Sequence, residues 1–167
     1  MKPDTDHLEE LFKKVTLELV QQLNSLTEEQ LNKKFVPDKW TPGQLGVHLY
    51  KSYASIDTIK GTTEAANRPV DKKIPSIKDV FLNFEARYDA PEEIIPPDGW
   101  VSKDELINGL RERIDQQNSV WQQDDLSRLC IDFAIPGYGT FTRLEWLALN
   151  TYHTLRHVKQ LKEQIGF

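Results

Sequence analysis

TRLEWLALNTYHTLRHVKQLKEQI, residues 142–165, follows a break at Pro136, Gly137 and Gly139 and carries the marks of a long helix. Thr142 and Glu145 hold the two positions of a capping box, in which each side chain serves the other residue's backbone amide. Leu144, Ala148, Thr151, Leu155, Val158 and Ile165 then recur mostly at intervals of three and four, the seam of an amphipathic helix. A second, polar stripe runs along the same segment. At about 100° per residue, His153 and His157 fall about 40° apart and roughly 120° or more from the seam, alongside Trp146, Asn150 and Gln160.

Three further helical patterns lie upstream. Leu8, Leu11, Phe12, Val15, Leu19, Leu23 and Leu26 form one stripe. TEEQ at 27–30 is a capping box for a short extra turn, stopped at Pro37. In TPGQLGVHLYKSYASIDTIKG, residues 41–61, Thr41 caps, Pro42 suits the first helical position, Gln44 completes the box and Gly61 ends the run. SKDE at 102–105 opens the third pattern, with Leu106, Leu110, Ile114, Gln117 and Trp121 stepping by about a turn. Residues 62–100 are interrupted by Pro69, Pro75, Pro91, Pro96 and Pro97, and hold one short helix after Ser76. Strand alternation is almost absent. The expected fold is therefore all-α: a single domain over 1–167, a four-helix bundle arranged roughly up and down, with a long crossover between helices two and three.

Composition excludes several functions. A chain of 167 residues, 38% hydrophobic and 28% charged, is large and apolar enough to bury a core without a disulfide or structural metal. Cys130 is alone, which fits a reducing, cytoplasmic setting and rules out an internal disulfide. The polar start MKPDTDHLEELFKK has no apolar signal region, and no run approaches the roughly 20 apolar residues of a membrane span. Lys and Arg total 21 against 26 Asp and Glu, without a basic block, so neither nucleic acid nor membrane is an expected partner.

The histidines carry the functional signal. His153 and His157 can point at one spot, and His48 sits in the second turn of helix two beside the stripe of Leu45, Leu49 and Ile56, where an inward-facing imidazole would need a partner, which makes it a third candidate ligand. Three neutral imidazoles from two helices make a partial metal shell with a position open for water or substrate; a polar groove of hydrogen-bonded histidines is the other reading. His7 reads as solvated, and Cys130 as a small core residue with no cationic neighbour to activate it. No Gly-rich phosphate loop, nucleophile elbow or HExxH motif occurs.

KWTPGQLGVHLYKS, APEEIIPP at 90–97 and IPGYGTFTRLEWLALNTYHTLRHVKQL together resemble, in order, the motifs of the DinB/YfiT-like superfamily of metal-dependent enzymes, over most of the chain. The resemblance implies a divalent metal, commonly zinc or nickel, held by His48, His153 and His157. It also implies transfer of a low-molecular-weight thiol to or from an electrophile, with metal-dependent hydrolysis or simple small-ligand binding as alternatives. Gln44 stands where relatives often have a carboxylate. By helical proximity Asn150, Gln160 and Glu145 are candidate partners for the outer ring nitrogens, and Asp89, Glu92, Glu93 and Tyr138 are candidate rim groups for proton transfer. Trp100, Trp121, Trp146, Phe133 and Phe141 exceed what one small bundle obviously needs, which raises the expectation of a homodimer.

Overall fold

The structure, a computed structural model, describes residues 4–166. Four long helical segments dominate it: α1 (Thr5–Ser25); α3 (Pro42–Ser52), prolonged through a 3-10 turn (Tyr53–Ser55) into α4 (Ile56–Ile59); α6 (Lys103–Gln123); and α7 (Arg143–Ile165). The short α2 (Glu28–Leu31) sits between the first two, and α5 (Ile74–Leu82) lies in the crossover.

The helix starts follow local chemistry. Thr27, Thr41 and Thr142 each form a complete capping box, with Gln30, Gln44 and Glu145 respectively. Gln44 is thereby occupied, its Oε1 accepting from the Thr41 amide at 3.0 Å. SKDE forms only half of its expected box: Ser102 accepts from the Glu105 amide without a return bond from the Glu105 side chain, and separately the Lys103 amide donates to Glu28 Oε1. The second helix tightens after Ser52, whose hydroxyl donates back to the His48 carbonyl at 2.8 Å.

Contacts along the helices fix their directions. Leu8 shares a cleft with Leu144 and Tyr152, and Glu18 pairs with Lys162, so α1 and α7 run parallel. Gly43 abuts Val101, and Tyr50 packs on Gly109 and Arg113, so α3 and α6 are parallel too. Ser55 meets Asn150 while Trp40 meets Gln164, and Phe12 packs on Trp121, which sets the two pairs antiparallel to one another. Around the bundle the order is α1, α7, α3, α6. The sense is up, down, down, up, not the simple alternation expected. Two successive helices running the same way require the chain to return across the molecule, which is why residues 62–100 form a long crossover.

That return is anchored at each stage. β1 (Thr63–Ala65) pairs antiparallel with β2 (Arg128–Cys130) in the register Thr63↔Cys130, a small sheet that the sequence pattern did not announce. Arg68 then forks onto Glu145 at 2.7 and 2.9 Å, and the Lys73 amide donates to the same carboxylate at 2.7 Å. α5 climbs along α7, and the 3-10 turn Glu92–Ile94 lies on α3. α7 is thus covered by α1, α3 and α5, which accounts for its second stripe. Trp121, Trp146 and Phe141 are buried inside the chain, leaving Trp100 (65% exposed) and Phe133 (51%) outside. The aromatic surplus behind the expected dimer is mostly core. No described helix is long and apolar enough to cross a membrane.

Candidate metal centre

His153 and His157 lie one turn apart on α7, on the face turned toward α3, and His48 projects from α3 opposite them. All three side chains are at most 8% exposed. Their ligating nitrogens lie within 4.8 Å of one another. His153 Nε2 is 3.0 Å from Nε2 of both His48 and His157. The residues picked out by spacing therefore converge through one kind of atom.

The outer nitrogens decide what the inner ones can do. His48 Nδ1 is 2.8 Å from the Ile94 carbonyl, which can only accept, so His48 carries its proton on Nδ1 and turns a lone pair inward. His157 Nδ1 lies 2.7 Å from Gln160 Oε1 and is protonated for the same reason. His153 Nε2 can offer at most one hydrogen between these two lone pairs. In the neutral state, then, one 3.0 Å nitrogen–nitrogen contact has no proton in it. A cation at the focus removes that conflict, so the donor set fits a divalent metal better than a self-sufficient hydrogen-bonded groove.

Burial keeps the imidazoles in the ligating, neutral form. It lowers the His48 pKa against the opposing bond to Ile94. It holds His153 well below 6.5, with further depression from His157, His48 and Arg156. His157 is lowered to about 3, first by burial and then by the charge of His48. No carboxylate figures among the groups that shift any of the three. Two aromatic walls complete the surroundings: Trp40 lies 4.8 Å from the His48 ring centroid, and Phe81 lies 5.1 Å from that of His153.

Of the candidate outer partners, only Gln160 touches a histidine. Asn150 bonds Gln117 and Ser55 in the bundle interior. Glu145 belongs to the Arg68 knot at the start of α7, about 12 Å of helix rise from His153. Tyr138 lies at that same far end, its carbonyl bound by Lys73, and so does not rim the centre. Glu92 and Glu93 are exposed in the turn whose last residue, Ile94, supplies the carbonyl for His48, and Asp89 is exposed nearby in sequence. Sequence reasoning missed that carbonyl because a backbone acceptor has no residue signature. His7 is exposed, and Cys130 is a buried core residue as expected; it does have a cationic neighbour, Arg143, but burial outweighs that charge and pushes the thiol pKa up to about 11.

Comparison with known proteins agrees with this architecture. The uncharacterized protein YuaE of Bacillus subtilis is 23% identical over 160 residues, covering 92% of this chain and 94% of that protein. The structure of YfiT from Bacillus subtilis, described as "a probable metal-dependent hydrolase with an unusual four-helix bundle topology", superposes with a TM-score of 0.58 at 19% identity, over 100% of this chain and 90% of that one. Residues 11–161 match the DinB superfamily, and the chain belongs to that family.

Proposed function

We propose that this protein is a metal-dependent enzyme that holds a divalent cation, zinc or nickel, on His48, His153 and His157 and transfers a low-molecular-weight thiol to an electrophile. The observation that carries the reading is the convergence of three Nε2 atoms, two of them committed as lone pairs by the bonds behind them. A divalent cation held by these three imidazoles would stabilise a deprotonated thiol.

The chain's own residues supply orientation and dryness. Ile94 and Gln160 fix two imidazoles through their outer nitrogens, and Trp40 and Phe81 shield the rings from water. Among the described residues no cysteine joins the three histidines and none of their ring nitrogens bonds a serine, so the nucleophile comes from the cosubstrate. Thiol chemistry suits a cluster with no carboxylate among the described residues that shift its imidazoles, because a stabilised thiolate would need no protein base to take its proton. Hydrolysis is the second reading, favoured by the description of YfiT. A reducing cytoplasm is where free thiols would meet this protein.

The test is direct. Protein loaded with zinc or nickel is assayed for conjugation of bacillithiol, mycothiol and glutathione to a bimane or chloronitrobenzene, beside hydrolysis of simple esters and amides. Metal-dependent conjugation lost in His153→Ala supports transfer. Rates equal to those of the variant for every thiol overturn it, and ester or amide turnover alone moves the assignment to hydrolysis. Equal metal content in wild type and His157→Ala overturns the metal centre itself.

A further inference from the structure

Arg156 is a buried cation (7% exposed) with no carboxylate partner among the described residues. Its guanidinium is spent on backbone: it donates to the carbonyls of Phe81 at 3.2 Å, Asn83 at 2.9 Å and Ala86 at 2.5 Å. These acceptors are the end of α5 and the chain just beyond it. α5 ends at Leu82 without a left-handed glycine, and the one amide that folds back, that of Ala86, reaches only the Asn83 carbonyl at 3.2 Å, so the Phe81 carbonyl inside the helix is left to a donor from outside. A cation is also the favoured charge at that end of a helix. The Tyr88 ring lies 5.5 Å from the guanidinium carbon on the same stretch.

What this fork holds is a wall of the histidine cluster. Phe81, one of its three acceptors, packs on the His153 ring. His153 differs from its two neighbours in one respect: among the described residues its Nδ1 has no hydrogen-bond partner, whereas those of His48 and His157 are tied. No bond behind the ring therefore fixes His153, and its orientation falls to the contacts of Nε2 and to packing against Phe81.

We infer that Arg156 is a positioning residue: by clamping the end of α5 it holds Phe81 against His153 and so aims that imidazole at the focus of the three Nε2 atoms. The consequence for cation binding rests on the metal reading above; the aiming of the ring does not. Arginine suits the task because its planar fork reaches several carbonyls at once, which the point charge of lysine does not.

The experiment separates the two levels. In metal-free protein, the ring-proton NMR shifts of His153 report the Phe81 ring current, and amide exchange of residues 83–88 reports the clamp. Arg156→Met and Arg156→Lys should both shift the His153 ring protons and speed exchange, and Phe81→Ala should shift the ring protons with Arg156 intact. In the second arm, zinc dissociation constants of all three should rise on the order of 10-fold, with altered visible bands for bound cobalt. Unchanged His153 ring protons in folded Arg156→Met, whatever its melting temperature, would overturn the inference, since a merely structural arginine predicts that result. Should Arg156→Met not fold, Arg156→Lys and Phe81→Ala decide on the same readout. Wild-type protein that binds neither zinc nor cobalt removes the metal reading, and the NMR arm still judges the clamp.

Discussion

The Nε2 atoms of His48 and His153 meet at 3.0 Å although 105 positions of sequence separate them. The contact exists because α3 and α7 run antiparallel as neighbours in the bundle, and because each imidazole stays uncharged. Two protonated rings at that distance would repel in a medium that screens poorly. Neutrality in the fold has a measurable cost in acid.

The metal-free protein should lose stability as the pH falls below 6.5. Folded His48, His153 and His157 all have pKa values depressed from that ordinary value, chiefly by burial, whereas in the unfolded chain they protonate near it. The unfolded state thus binds protons first, and stability present above 6.5 is lost on acidification, for His157 down to about 3. One pH unit below 6.5, His157 alone should account for roughly 1 kcal/mol. Urea unfolding in chelator at pH 7.5 and 5.5 measures this; His157→Gln should flatten the dependence, and an unchanged slope would contradict the burial argument.

Gln160→Ala should weaken zinc binding by about 10- to 100-fold while moving the melting temperature little. Gln160 is only half-buried, so its loss leaves no cavity, but it frees His157 Nδ1 to rotate and to change tautomer. Calorimetric titration with zinc gives the affinity. A wild-type dissociation constant would show that helix packing alone orients His157.

Much of this architecture is legible in the sequence, and the reasons are local. Thr27, Thr41 and Thr142 cap helices through residues three positions away, and His153, His157 and Gln160 share a face by simple helical spacing. What the sequence hides is long-range or carried by backbone. The Ile94 carbonyl behind His48 could have been any residue's, and the β1–β2 pair is too short to show alternation. The up, down, down, up sense follows from which faces pack together, and apolar stripes do not encode it. Glu145 shows a local rule giving half an answer: its capping role is readable, its Arg68 partner 77 positions away is not.

Arg68→Met should destabilise the fold by about 3 kcal/mol without altering zinc affinity. Glu145 is fully buried, and its carboxylate accepts the Arg68 fork and the amides of Lys73 and Thr142. Removing the arginine leaves a buried anion held by backbone alone, which is costlier than losing both charges. Arg68→Met paired with Glu145→Gln should therefore recover part of the loss. Denaturant unfolding of the single and double variants tests this, and a double variant weaker than the single would show that the carboxylate matters for its backbone bonds and not for its charge.

Gly43→Ala sets two effects of opposite sign against each other. Alanine is favoured over glycine inside a helix by about 1 kcal/mol. Yet a Cβ at position 43 would lie 2.9 Å from the backbone carbonyl oxygen of Leu31 and 3.1 Å from the Val101 Cβ. Neither neighbour yields cheaply. Leu31 is fully buried in α2, and Val101 is pinned by the exchange of two bonds with Asn32, its amide donating at 2.7 Å and its carbonyl accepting at 3.0 Å. Overpacking of this kind costs about 1–3 kcal/mol, so the steric term should win and the variant should be less stable by about 1 kcal/mol net. The three-way junction of α2, α3 and the start of α6 would have to open, carrying the first turn of α3 with it. His48 lies more than a turn further on and should keep its place. Thermal unfolding alongside zinc titration checks both halves: a lower melting temperature with wild-type affinity is expected, and a variant as stable as wild type would mean that the junction has slack the close contacts do not suggest.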